Sequence, residues 1–376
     1  MKRWIAILFF VLLCLLPLAV SAETDQQDLY QQQLESGGVT DLPASLPDEV
    51  VGWLSQMGLD TFDPNGFTNL EFSSVLTSLT DLMASHSSGP LQALGTLLGV
   101  VLMGGLLTGL EGVSTTAPLR QTFHGLAVAG AGAALLVPLS GLLSAVAKTV
   151  EQVTVFLTAY APVYATVVAT GGHPTGAVAY QATLLGASQL LVWAVQGAVF
   201  PVLMVSLAFG CAGSVAEGFR LEVLSGFLHK LILWFLGLFS TVYSGLMSIQ
   251  QLAASAGDTL GGRVIRFSLS SFVPVVGGLL SEAYNTVRGC GDLMRTTVGC
   301  FGMVAMALVV LPPLCSCICW NVSLHLAAAG AGLFRLAPVE RLCLTAAGVV
   351  RVLIALLAVF ALLMVVSTVV VATAGR

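Results

Sequence analysis

The chain has 376 residues, 56% of them hydrophobic and only 9% charged, with a mean hydropathy of +0.94. Soluble domains carry about a quarter charged residues, so this composition excludes an ordinary soluble enzyme and makes lipid the solvent for most of the chain. Charge is also divided along the sequence. There is no Lys or Arg between Trp4 and Leu119, residues 23–90 hold eleven acids, and 111–376 holds twelve basic residues against eight acids. A wholly acidic leading region with no basic face excludes nucleic acid as a partner.

Lys2 and Arg3 precede an apolar run from Trp4 to Leu16 that ends at Pro17, and Val20-Ser21-Ala22 supplies small residues before Glu23. This pattern predicts a signal peptide over 1–22, cleaved after Ala22, which leaves the mature N-terminus outside the cytoplasm. Residues 23–89 then read as an acidic extracytoplasmic region. Gln-rich 26–33 and the Pro43/Pro47 stretch read as a flexible leader, with a short helix from Pro47 to Gln56 stopped by Gly58. Asp63-Pro64-Asn65-Gly66 signals a turn, and Thr68-x-x-Glu71 a capping box. The helix this box opens carries an apolar stripe of Phe72, Val75, Leu76, Leu79, Leu82 and Met83. It packs either on the protein's own body or on a partner or the bilayer surface.

Residues 90–376 read as a multi-helix membrane domain. Apolar stretches about 20 residues long cross a bilayer, and such segments are expected at 91–110, 122–146, 177–216, 231–252, 297–327 and 346–371. The 177–216 stretch is long for one crossing, so it is either a tilted helix broken at Pro201 or a hairpin of two. Between these segments lie 150–172 and 264–281, apolar but interrupted by Pro and Gly. On the first spanning helix Gly95-x-x-x-Gly99 and Gly105-x-x-x-Gly109 each set two glycines one turn apart, which lets helix backbones approach closely in lipid.

Two halves of the body, about 122–230 and 231–371, share signals in one order. Ser140-Gly141-Leu142-Leu143-Ser144 is answered by Ser244-Gly245-Leu246-Met247-Ser248, and Tyr160-Ala161-Pro162-Val163 by Phe272-Val273-Pro274-Val275. Pro201 and Pro313 follow those prolines at equal distance, and Phe219-Arg220-Leu221 recurs as Phe334-Arg335-Leu336. The expectation is an all-α polytopic membrane protein with an internal two-fold repeat and Pro/Gly-broken or re-entrant helices. Irregular backbone survives at membrane depth only inside protein or beside a watery cavity. A pore or assembly centre is therefore expected near Tyr160, Pro162, Tyr164 and Pro274.

There is no Walker A loop, HExxH, nucleophile elbow or Rossmann fingerprint, the five histidines are scattered, and Cys315, Cys317 and Cys319 read as packing residues rather than zinc ligands. Neither an enzymatic site nor a cofactor is expected. The densest polar constellation is Asp258, Arg263, Arg266, Glu282, Arg288, Asp292 and Arg295, around Phe272, Pro274, Gly277 and Gly278. Ionisable groups near a membrane are functional candidates, although the acids and arginines here have the option of simply pairing. Lys148 with Glu151 and Glu217 with Arg220 are read as ion pairs on single helix faces.

The run Gly262-Arg263-Val264-Ile265-Arg266-Phe267-Ser268, followed by Phe272-Val273-Pro274-Val275-Val276-Gly277-Gly278-Leu279-Leu280-Ser281-Glu282-Ala283, resembles the signature of the stage III sporulation protein AE family. Thr286-Val287, Gly289 and Val298-Gly299 continue the likeness, and Tyr160 to Tyr164 resembles a second family segment. The arginines and cysteines of 288–319 are not matched to the family pattern. The resemblance implies a mother-cell membrane protein facing the forespore. It would be part of a channel or secretion-like complex with other membrane, ring-forming and ATPase proteins, needed for forespore development after engulfment. The alternative is a self-sufficient secondary transporter of a small solute.

Overall fold

Helix is the only regular structure among the residues described by the computed structural model, which are 34–35, 37–56, 62, 88–114, 117–215, 221–272 and 277–373. The expected signal peptide, the Asp63–Gly66 turn, the capping box, the 72–83 stripe and the Glu217–Arg220 pair lie outside them. A 3-10 helix, Val39–Ser45, stands where a flexible leader was expected. It forms because Val39 and Leu42 have somewhere to go: both are buried, and the segment packs on a helix of the membrane body. Helix α1, Asp48–Gln56, follows as expected, with the Pro47 carbonyl accepting from the amides of Val50 and Val51.

The body consists of α2 (Ser88–Ser114), α3 (Ala117–Thr170), α4 (Pro174–Ala194), α5 (Phe200–Val215), α6 (Leu221–Phe272), α7 (Gly277–Leu333) and α8 (Ala337–Thr373). Among the described residues, six helices are long and apolar enough to cross a membrane, with α4 and α5 counted as one through the π-helical turn between them. An all-α, multi-pass membrane protein fits this architecture.

Prolines shape these helices without ending them. α3 runs unbroken through Pro138 and Pro162, and α7 through Pro312 and Pro313. The interruption expected at Pro162 is thus absent, because a membrane helix tolerates a missing N–H inside a packed bundle. Within 150–172 the helix ends only after Thr170, at Gly171-Gly172. The 177–216 stretch is neither a hairpin nor broken at Pro201. Its ladder widens into a π-turn at Val195–Val199, where Phe200 N–H bonds the Val195 carbonyl five residues back. This turn absorbs the hydrogen bond that Pro201 lacks.

Reversals between helices are short. Gly172 (φ +87°) closes α3, with His173 N–H bonding the Val168 carbonyl at 3.3 Å. Arg335 (φ +56°) closes α7, with Leu336 N–H on the Ala331 carbonyl at 2.9 Å. Both are left-handed C-terminal caps, and each leads straight into a helix with Pro in its first turn, Pro174 or Pro338. At the hub is α8, packed against α3, α4, α5, α6 and α7. It is apolar on every side, and Val350, Leu353, Leu357, Phe360 and Met364 are fully buried; helices of that composition belong at a centre. α6 lies outermost and exposes a ridge of Phe227, Leu231, Trp234, Leu238, Val242 and Ile249.

Charged residues are absent from long, matching stretches: 152–170 on α3, 231–257 on α6 and 352–371 on α8. At about 1.5 Å per residue these span about 28, 40 and 30 Å, the range from the hydrocarbon core to the full thickness of a bilayer. The groups bounding them form two polar belts. One holds His173, Asp258, Arg288, Asp292 and Arg295; the other holds Glu222, Lys230, Arg341 and Arg351.

Candidate functional site

The first belt is built from helix ends. α4 begins at Pro174, so the amides of Thr175 and Gly176 have no partner within the helix, and His173 at the cap position makes no side-chain bond to them. Asp258, about four turns before the end of α6, supplies both partners. Its Oδ1 accepts from Thr175 N–H at 3.0 Å and its Oδ2 from Gly176 N–H at 3.1 Å. A buried carboxylate at a helix N-terminus is stabilised by charge-assisted bonds and by the helix dipole. Gln251, two turns back on α6, donates to the Gly176 carbonyl at 3.2 Å. The approach needs glycine: a Cβ on Gly176 would lie 3.2 Å from Gln251 Oε1.

Arg295 does the converse for α8. Buried on α7, it donates to the Val371 and Ala372 carbonyls at the last turn of α8, the second at 2.8 Å. Its contact with Asp292 is a looser 3.9 Å. The α3–α4 reversal sits directly on α7, where Gly172 lies against the Arg288 side chain and the Gly171 backbone touches Gly291. One carboxylate on α6 thus holds the N-terminus of α4, and one guanidinium on α7 holds the C-terminus of α8, with the α3–α4 turn wedged among them.

His173 is the titratable group in this knot. Nε2 is buried with no hydrogen-bond partner, and Nδ1 stands 3.9 Å from Asp258 Oδ2. Burial pushes its pKa below the usual imidazole value, the charges of Arg295 and Arg288 push it further, and Asp292 and Asp258 oppose them in part. A depressed base is neutral when folded and takes up a proton more readily when unfolded, so stability falls as pH drops through its ordinary value of about 6.5. We expect the unfolding midpoint in detergent to fall between pH 7.5 and pH 5.5, and to fall less in His173→Gln; identical pH profiles would contradict this.

Beneath the knot lies a column of buried aromatic rings. Phe156 and Tyr160 are 5.4 Å apart, Tyr160 and Tyr164 5.3 Å, and Tyr164 and Tyr180 5.0 Å. Tyr160 donates to the Val298 carbonyl at 3.2 Å, whereas the Tyr164 hydroxyl is buried without a hydrogen-bond partner among the described residues. Gly299 and Gly302 on α7 make the room: a Cβ on Gly299 would come 3.1 Å from Tyr164 Oη, and one on Gly302 would strike Tyr160 and Met364. Phe62 from the leading region completes the wall, 4.5 Å from Phe301.

Of the expected site residues, Tyr160 and Tyr164 are core, and Pro162 lies between them on continuous helix. Arg263 is exposed on α6. Arg266 and Phe272 fall on α6, and Gly277, Gly278 and Glu282 on the first turns of α7; Pro274 lies outside the described residues. The knot uses Asp258 and Arg295, which the sequence reading grouped with these, but as helix caps rather than as paired charges. Sequence reasoning passed over His173, Tyr180 and Gln251; the Gly-Gly-His-Pro run at 171–174 was the signal for the first. Gly105 packs under Phe334, whereas a Cβ on Gly95 or Gly99 would meet nothing within 4 Å; Gly109 lies on the same helix. Lys148 and Glu151 are both exposed and make no ion pair within 4 Å, a correction to the expected pair.

The sequence model of the family described as "Stage III sporulation protein AE" matches residues 60–375. The chain belongs to this family. The Stage III sporulation protein AE of Bacillus subtilis (strain 168) is 23% identical over 166 residues, 44% of this chain and 42% of that one. The chain thus matches less than half the length of that curated relative. No solved structure matches. The family match covers the knot, the tyrosine column and all six long helices, and membership implies a role in sporulation.

Proposed function

We propose that the chain is a non-enzymatic membrane component of a channel or secretion-like complex between mother cell and forespore, needed for forespore development after engulfment. The observation that carries this reading is the family match across 60–375, together with six helices of membrane-crossing character. In this reading the protein sits in the mother-cell membrane around the forespore, and its acidic leading region faces the space between the two cells. It works with other membrane proteins and ring-forming proteins of the same complex, and it uses no cofactor. Its own part is to hold a rigid, lipid-embedded bundle in place while partners supply the conduit and any energy.

A second reading, a self-sufficient transporter of a small solute, is favoured by the Tyr164 hydroxyl, buried without a hydrogen-bond partner among the described residues. Unpaired buried polar groups are rare and usually meet water or a ligand. One strain separates the readings. An in-frame deletion is expected to lower the count of heat-resistant spores by orders of magnitude, with development stopping after engulfment. Normal spore yield contradicts the first reading, and solute movement by the purified protein alone in liposomes selects the second.

A further inference from the structure

The second polar belt holds a cleft that neither the family match nor the knot accounts for. α6 and α8 lie side by side there, tied at their N-terminal ends by Arg341 and Glu222 at 3.5 Å. Between them opens a space of about 280 Å³, with Lys230, Arg341, Arg351 and Glu222 on its walls. Its floor is His229, buried and bonded to Ser206 Oγ at 2.6 Å. Gly348 admits that ring, since a Cβ there would lie 2.5 Å from Nδ1. The cleft is therefore walled by fixed helices and carries three permanent cations against one anion.

The cations are not equivalent. Arg341 is held by Glu222, whereas Lys230 and Arg351 are exposed and make no ion pair within 4 Å among the described residues. Each stands at the edge of lipid-like sequence, with 231–257 following Lys230 and 352–371 following Arg351 free of charge. Arg351 is conspicuous, since α8 is the most buried and apolar helix of the bundle, and a cation there needs an anion or water. Directly beyond the cleft, the exposed ridge of α6 (Leu231, Trp234, Leu238, Val242) runs toward the middle of the uncharged zone. Tryptophan at that level is the usual marker of a membrane interface.

We infer that this cleft binds the phosphate of an anionic phospholipid, with Arg351 and Lys230 on the phosphate oxygens and the acyl chains along the α6 ridge. Arg offers a planar fork and Lys a point charge, both suited to phosphate, and basic pockets between membrane helices take anionic headgroups. A volume of about 280 Å³ equals that of about nine water molecules, enough for a headgroup and too little for a folded element of another protein. A free phosphate ion shares the headgroup's chemistry but has no use for the ridge, which is why we assign the lipid.

Native mass spectrometry of the full chain in detergent, titrated with phosphatidylglycerol, phosphatidylcholine or inorganic phosphate, tests this. Wild type is expected to bind phosphatidylglycerol about tenfold more tightly than phosphatidylcholine, about the effect of one to two surface cations. K230Q/R351Q should lose that preference, and the charge-keeping K230R/R351K should retain it. Glu222→Gln releases Arg341 and is expected to tighten phosphatidylglycerol binding about fivefold, a gain that a merely unstable variant would not produce. Equal affinity for the two lipids, an unchanged preference in K230Q/R351Q, no tightening in Glu222→Gln, or displacement of the lipid by an equal concentration of inorganic phosphate would each overturn the assignment.

Discussion

Gly291→Ala is expected to lower stability by about 3 kcal/mol or more, the upper end for overpacking a rigid site. At this position α7 crosses the end of α3 backbone to backbone: an added Cβ would lie 2.6 Å from Gly171 Cα and 2.7 Å from its nitrogen. A flexible side chain can turn away from an intruding methyl group. Gly171 cannot, because it sits in the hydrogen-bonded cap that closes α3, its N–H on the Val167 carbonyl. The reversal and α7 would have to separate, taking Gly172 off Arg288. Gly95→Ala and Gly99→Ala are the matched controls, since nothing lies within 4 Å of either new methyl group. They should be neutral, or stabilising by up to about 1 kcal/mol through helix propensity. Thermal unfolding of the three variants in one detergent checks the contrast; equal midpoints for Gly291→Ala and wild type would refute the backbone crossing.

Asp258→Ala should cost about 2–3 kcal/mol, because it strips two buried amides of a charged acceptor at once. Among the described residues no Lys or Arg lies within 4 Å of the carboxylate, whose ion-pair contact there is His173 at 3.9 Å, so the α4 N-terminus is its main counter-charge. Asp258→Asn keeps an acceptor oxygen while losing the charge and should cost about 1 kcal/mol, near the value of a helix-dipole interaction. Equilibrium unfolding of both, with the order Ala worse than Asn, supports the cap. Unfolding free energies for both that match wild type would remove Asp258 from the knot.

The membrane helices were legible because apolar runs of bilayer length are written continuously in the sequence. What misled was proline. Pro162 and Pro201 read as breaks, yet in lipid the helix continues: α3 runs on through Pro162, and the Pro201 defect is taken up by a π-turn. Tyr160 and Tyr164 were picked out because they flank Pro162, and they proved to be ring-stacked core instead. Asp258 and Arg295 were visible as rare charges, but their partners are backbone groups about 80 residues away, at Thr175 and Gly176 or Val371 and Ala372. Side-chain spacing does not encode such a pairing, since any helix end offers the same orphan groups. The glycines divided for a similar reason. Gly299, Gly302 and Gly291 make close contacts that no four-residue repeat marks out, whereas of Gly95, Gly99 and Gly105 in the repeat only Gly105 is closely packed.

The two belts are taken to lie on opposite sides of one bilayer, with α6 and α8 crossing between them. Single cysteines placed in a cysteine-free background and labelled with a membrane-impermeant maleimide in intact cells and in inverted vesicles test this directly. Cysteine at Thr170, exposed at the end of α3, and at Arg335, exposed in the α7–α8 reversal, should react from opposite sides. Cysteine at Val242 or Ile249, on the lipid-facing ridge of α6, should react from neither. Labelling of both ends from one side, or free reaction at Val242, would contradict the arrangement.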